Sequence, residues 1–204
     1  MKTISTLNRG LAIAGVTAAG AVLVAACSRV QFQARVHQPP RSIPAELALR
    51  DQYDRPFRFA QYRGDVVLVN FGYTRCPDVC PLVLGTFRSI EDALGPDARR
   101  VRFVFVTVDP EQDTRDVLRR YLRLFSDEFI GISGAPAELQ PLYDAFGVRF
   151  EKVADPNTKS RVKYLMAHST NTAVLDRRGL WRLDFKHDTE VSDAVSDIRQ
   201  LLRR

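Results

Sequence analysis

The chain has 204 residues, 45% hydrophobic and 26% charged, with a formal net charge of +6 and only three cysteines. That length holds one domain with a full core and falls short of two ordinary ones. Arginine supplies most of the positive charge but is scattered, with no basic stripe or interleaved aromatics, which argues against a nucleic-acid-binding module.

The first segment reads as an address rather than as part of a fold. Lys2 and Arg9 precede a stretch without charge from Leu11 through Ser28, rich in Ala and Gly and ending Leu23-Val24-Ala25-Ala26-Cys27. Small residues ahead of a cysteine resemble the cleavage site of bacterial lipoproteins: residues 1–26 are then a signal peptide and Cys27 becomes the acylated N-terminus. The competing reading is an uncleaved anchor, since the apolar stretch is just short of the ~20 residues that span a bilayer. Both readings put the rest of the chain on the exported side of a membrane and tether it there. Residues 27–45, with Pro39, Pro40 and Pro44 among polar residues and His37 between them, are expected to be a linker reaching roughly 20–25 Å. The folded domain is expected over 46–204.

Within that domain, Leu47 to Phe59 around Asp51-Gln52-Tyr53-Asp54 predicts a small hairpin. Val66 to Phe71 is an apolar run broken only by Asn70, read as a buried strand, and a helix follows from Cys80 to about Leu94, ended by Gly95-Pro96. Val101–Val108 predicts a second strand. Asp113 or Thr114 caps a helix running to about Phe125, and Phe129–Ile132 makes a short strand. Ala137 to Phe146 is a helix stopped by Gly147, Val148–Val153 is strand-like, and Asp155-Pro156-Asn157-Thr158 marks a loop tip. Thr172–Leu175 and Leu180–Phe185 flank the turn Asp176-Arg177-Arg178-Gly179 as a hairpin. Val191 to Leu202 closes the chain as an amphipathic helix. The order β-α-β-α then β-β-α is a thioredoxin-like α/β arrangement: a mixed central sheet flanked by helices, with an extra helix and hairpin inserted.

The chemistry concentrates at Cys76 and Cys80, which sit where the first long strand hands over to its helix. Unpaired backbone N–H groups and the helix dipole favour negative charge there and lower a thiol pKa, and Arg75 adds positive charge next door. With Cys27 lipidated, these two cysteines are all the folded domain owns. A bridge between residues four apart closes a loop too small to constrain the unfolded chain much, so a purely structural disulfide explains the pair poorly. What remains is a redox couple or a soft-metal site such as one for Cu(I).

Four segments, F-G-Y-T-R-C-P-D-V-C-P (71–81), V-D-P-E-Q-D-T (108–114), F-I-G-I-S-G (129–134) and A-H-S (167–169) followed by T-A-V-L-D (172–176), resemble the Sco/SenC family. These are the copper chaperones that help assemble cytochrome c oxidase. The likeness covers about residues 47–202 in the family's order. It departs at Gln112, where the family usually carries Arg, and at Arg75, where it often carries His. The resemblance implies that Cys76, Cys80 and a distant histidine, His168, hold copper as Cu(I) or Cu(II). The residues lend support: His37 lies in the linker, His187 follows a strand, and His168 precedes a strand that begins beside the cysteine turn. A lone histidine making one hydrogen bond is the plainer alternative; the A-H-S placement favours the ligand.

Other residues receive structural roles. Asp78 either orients the loop or caps the helix, Pro77 and Pro81 stiffen the turn, and Asp109 and Pro110 end a strand at the site's edge. Asp113 is expected to be a helix cap rather than a catalytic acid. Phe71, Tyr73 and Phe146 are assigned to the core and Tyr164 to packing.

Two functions follow from the resemblance and the pair. One is a metallochaperone delivering copper to the dinuclear site in the copper-containing subunit of cytochrome c oxidase. The other is a thiol–disulfide oxidoreductase that uses Cys76 and Cys80 as its catalytic couple on that subunit or on other exported proteins. Other copper chaperones and thiol–disulfide proteins are further expected partners. The four-residue spacing, wider than in thioredoxin motifs, leans toward metal. The expected location is the periplasmic face of a bacterial membrane. Ser28 after the lipidated cysteine favours outer-membrane sorting in some bacteria; the oxidase, and so the functional constraint, lies in the inner membrane.

Overall fold

The structure, a computed structural model, describes residues 31–156 and 161–204. The expected signal peptide, Cys27, Asn157 and Thr158 fall outside those residues. The elements run β1 (Arg35–Arg41), β2 (Leu49–Arg50), β3 (Pro56–Phe57), β4 (Val66–Gly72), α1 (Val79–Leu94), β5 (Val101–Thr107) and α2 (Arg115–Leu122). They continue with β6 (Ile130–Ile132), α3 (Pro136–Phe146), β7 (Phe150–Ala154), β8 (Tyr164–His168), β9 (Thr172–Leu175), β10 (Trp181–Phe185) and α4 (Val191–Leu202).

Six strands form the main sheet in the order β1-β10-β9-β4-β5-β6. β4, β5 and β6 are parallel, and β9, β10 and β1 turn antiparallel. Every residue of β4 is buried, as a central strand covered on both faces requires. Its alternation decides what each face meets. Phe71 packs on Tyr143 and Phe146 of α3, whereas Gly72, pointing the other way, faces Cys80 of α1. α1 and α4 pack side by side. The thioredoxin-like α/β expectation therefore holds, with β4 aimed at the cysteine turn.

Local rules account for the boundaries. Thr114, not Asp113, caps α2, its hydroxyl accepting the Val117 N–H at 3.3 Å. Gly147 stops α3 at φ +62°, a backbone shape that glycine adopts without a Cβ penalty. In the turn between β9 and β10 the Asp176 carboxylate accepts the N–H groups of Arg178 and Leu180.

One expectation needs correcting. Much of the stretch read as a linker is part of the fold, because β1 pairs with β10. Ahead of it, the buried Asp197 carboxylate accepts the N–H groups of Gln33 and Ala34 at 2.9–3.1 Å. His37 is accordingly fixed, its Nε2 3.0 Å from Asp184 and its ring against Trp181. As the edge strand of the sheet, β1 tolerates its prolines. One strand, β8, had no counterpart among the elements expected from sequence. It pairs with β7 in a two-stranded ribbon separate from the main sheet, and His168 is its last residue.

Candidate metal centre

β4 ends at Gly72 and the chain turns through Tyr73 to Asp78 before α1 begins at Val79. A Cβ on Gly72 would stand 2.7 Å from Cys80 Sγ and 2.8 Å from the Phe105 ring. Only glycine lets the second sulfur sit this close to the end of the strand. Cys80 is buried and Cys76 half-buried, and neither is in a disulfide. The Cys76 sulfur occupies the N-terminus of α1, accepting the Cys80 N–H at 3.4 Å. Asp78 stands at the cap position but its side chain makes no capping bond, so of its two expected roles the capping one passes to the Cys76 sulfur.

The third donor arrives from the ribbon. His168 Nε2 lies 3.5 Å from Cys80 Sγ, while its Nδ1–H donates to the Ser169 carbonyl at 2.8 Å. That bond assigns the proton to Nδ1 and leaves the Nε2 lone pair facing the sulfurs. Tyr73 meets the ring edge-on at 5.7 Å between centroids. The donor atoms of Cys76, Cys80 and His168 all lie within 4.8 Å of one another. Thiolate–metal bonds of about 2.3 Å would set two donors across one ion about 4.6 Å apart, so the spread suits a single ion. Two thiolates and a neutral imidazole are donors for a soft or borderline metal. His37 and His187 are not part of the centre.

The two thiols divide one proton between them. The Cys80 thiol donates to Cys76, and the backbone N–H groups of Asp78 and Cys80 add to it. Together they outweigh burial and lower Cys76 to about 4. The same bond to Cys76, together with burial, pushes the Cys80 thiol upward. Without metal, Cys76 is the thiolate and Cys80 the thiol; filling the site with both sulfurs as anions releases the Cys80 proton.

A polar frame holds the loop. Asp113 accepts from the Thr74 N–H (3.0 Å), the Thr74 hydroxyl (2.6 Å) and the Thr107 hydroxyl (2.7 Å). It is fully buried, and burial raises its carboxyl pKa against those bonds. Asp113 is therefore neither a helix cap nor an acid at the metal, but the clamp that ties the cysteine turn to the end of β5. Asp109 performs the parallel task for the ribbon. It takes Arg75 at 2.7 Å and the Tyr164 hydroxyl at 2.9 Å, with the guanidinium lying over the Tyr164 ring. The Arg75 charge, expected to help the thiols, is matched by Asp109 instead. Tyr164 does more than pack, since it links β8 to the strand end that Arg75 grips.

Phe71, Tyr73 and Phe146 are buried as expected. The clamp roles of Thr107 and Asp113 and the Ser169 carbonyl behind His168 were not anticipated. The buried acid in V-D-P-E-Q-D-T carried that signal only in the company of Thr107, which adjoins the motif, and Thr74, 39 residues away.

A thioredoxin-like domain with two loop thiols and one oriented imidazole at the end of its central strand is a protein of thiol and soft-metal chemistry. The profile of the SCO1/SenC family matches residues 36–203, and the chain belongs to that family. Among its relatives is an SCO2-like protein of Rickettsia prowazekii, 30% identical over 163 residues, which cover 80% of this chain and 78% of that protein. Among solved structures, ScoI of Bradyrhizobium japonicum with copper bound is 33% identical with a TM-score of 0.69, covering 76% of this chain and 96% of that one. Apo Sco1 from Thermus thermophilus is 32% identical with a TM-score of 0.73, covering 85% and 99%.

Proposed function

We propose that this protein is a membrane-tethered copper metallochaperone. It takes copper at Cys76, Cys80 and His168 and passes it to the dinuclear copper site in the copper-containing subunit of cytochrome c oxidase. The observation that carries the reading is the meeting of an imidazole from β8 with two sulfurs from the β4–α1 turn. Copper bound to the related Bradyrhizobium protein supports the choice of metal, and family membership supports the oxidase as destination. Access supports transfer by ligand exchange: Cys76 and His168 are half-buried and Cys80 is enclosed, so an incoming partner thiolate displaces the outer donors before the inner sulfur. Residues 1–26 are removed as a lipoprotein signal and an acylated Cys27 holds the domain at the periplasmic face of the inner membrane. Among the described residues no helix is long and apolar enough to cross a membrane.

A second reading is favoured by one observation, the low-pKa, partly exposed Cys76 beside a buried, protonated Cys80. In that reading the Cys76 thiolate attacks a disulfide sulfur of a partner, forming a mixed disulfide and releasing the partner's first thiolate. Cys80 then gives up its proton and attacks the Cys76 sulfur, closing a Cys76–Cys80 disulfide and freeing the second thiolate. The partner is reduced by two electrons and this protein is oxidised by two.

Copper titration of the reduced protein, wild type against His168→Ala, separates the two. The chaperone reading expects copper affinity to fall by about tenfold or more while the cysteine pair still oxidises normally. Unchanged affinity in the variant would remove His168 from the site and leave the redox reading.

A further inference from the structure

The end of the molecule where the described chain opens carries a concentration of arginine. The Gln31 carbonyl accepts from the Gln200 side chain at 3.4 Å, and the Arg204 guanidinium lies 5.3 Å from the centre of the Phe32 ring. The chain thus emerges beside the C-terminal end of α4. A cleft at this end is lined by Arg177, Arg178, Arg182 and Arg204 with Leu201 and a single carboxylate, Asp176. Asp176 is already engaged by Arg178 and by turn N–H groups. Arg178 is paired with Asp176 and Arg177 donates to the Gly64 and Leu202 carbonyls, but the cleft keeps an excess of positive charge, and arginine forks suit phosphate oxygens.

Only Ser28, Arg29 and Val30 separate Cys27 from Gln31. Fully extended, that link spans about 14 Å, far less than the linker expected from sequence. A lipid on Cys27 therefore keeps this end close to the headgroups.

The same end is opposite the metal centre. Gly64, just before β4, donates its N–H to the Arg177 carbonyl, whereas the cysteine turn leaves the far end of β4. Seven strand residues at about 3.3 Å each set the two ends roughly 20 Å apart.

We propose that the arginine-lined end of α4 and the β9–β10 turn docks on anionic phospholipid headgroups and turns the metal centre away from the bilayer. The proximity argument rests on the lipid-anchor reading of Cys27. A phosphodiester surface is the favoured occupant because tether and positive cluster share one end of the domain, where attraction to an anionic leaflet adds up arginine by arginine.

The test is hydrogen–deuterium exchange of the full chain held by its anchor in vesicles of phosphatidylcholine, with and without phosphatidylglycerol. Exchange at residues 176–182 and 199–204 should slow about tenfold or more on the anionic vesicles at low salt, and recover at high salt. The triple variant Arg178→Gln, Arg182→Gln, Arg204→Gln should lose the protection while keeping its thermal midpoint and its copper titration. Equal exchange on both vesicle types, or protection that survives the triple variant, overturns the proposal. So does protection that appears only when an acidic protein is added. A failed anchor reading looks different: the full chain then partitions into the aqueous phase on detergent extraction. In that case co-flotation of the full chain with the same vesicles decides. Dependence on phosphatidylglycerol and on the three arginines upholds docking, and absence of co-flotation overturns it.

Discussion

The Asp113 carboxylate accepts the backbone N–H of Thr74 at 3.0 Å across 39 residues of chain. Through this bond the α2 side of the sheet dictates the path of the cysteine turn before any metal is present. Asp113→Ala leaves the Thr74 N–H and two hydroxyls without their acceptor in a buried place, at a cost of about 2–4 kcal/mol. Asp113→Asn, which keeps an accepting oxygen, should cost less. Urea unfolding of both variants measures the difference, and a cost near zero for the alanine variant would remove the clamp from the account.

Gly72→Ala tests how tightly strand and sulfur are fitted. The new methyl group would stand 2.7 Å from Cys80 Sγ and 2.8 Å from the Phe105 ring, so either the sulfur or the ring must yield. Overpacking of this kind costs about 1–3 kcal/mol. Copper affinity should fall together with the thermal midpoint. A variant that melts lower but binds copper as before would show that the ring, not the sulfur, had moved.

Acidity of the pair gives a pH test on the reduced, metal-free protein. With Cys76 lowered to about 4, its alkylation rate should be nearly flat from neutral pH upward and fall only as pH drops toward that value. An ordinary thiol near ~8.5 would instead gain about tenfold per pH unit across the neutral range. The sign for stability follows from the downward shift. Cys76 contributes stabilisation fully present above the unfolded thiol value of ~8.5 and lost as pH falls through about 4. Wild type should therefore lose stability relative to Cys76→Ser over that window, read by denaturation at several pH values. Cys80→Ala removes the largest cause of the low value, and its alkylation profile should move upward; an unmoved profile would assign the effect to the helix N-terminus alone.

What was legible in sequence was whatever local pattern and short spacing encode. The apolar Val66–Phe71 run, polar only at Asn70, located the central strand, and Pro81 with Gly95 bracketed α1. The cysteine pair announced itself by standing between them. The ribbon was harder. Val148–Val153 suggested a strand, but Tyr164–His168 alternates weakly and makes sense only against β7, where Phe150 is the Cα partner of His168. Asp113 read as a cap because helix-start chemistry is local, whereas its three donors come from residues 6 and 39 positions away. Prolines in β1 spoke for a linker because nothing near them in sequence records that β10 lies alongside.

Because β8 shares its hydrogen-bond ladder with β7 and not with the six-stranded sheet, the nitrogen and the sulfurs ride on separate carriers. Withdrawing the imidazole means parting side-chain contacts such as the Tyr164–Asp109 bond, not unzipping strands. Losing one donor from a bound ion in this way leaves the scaffold intact.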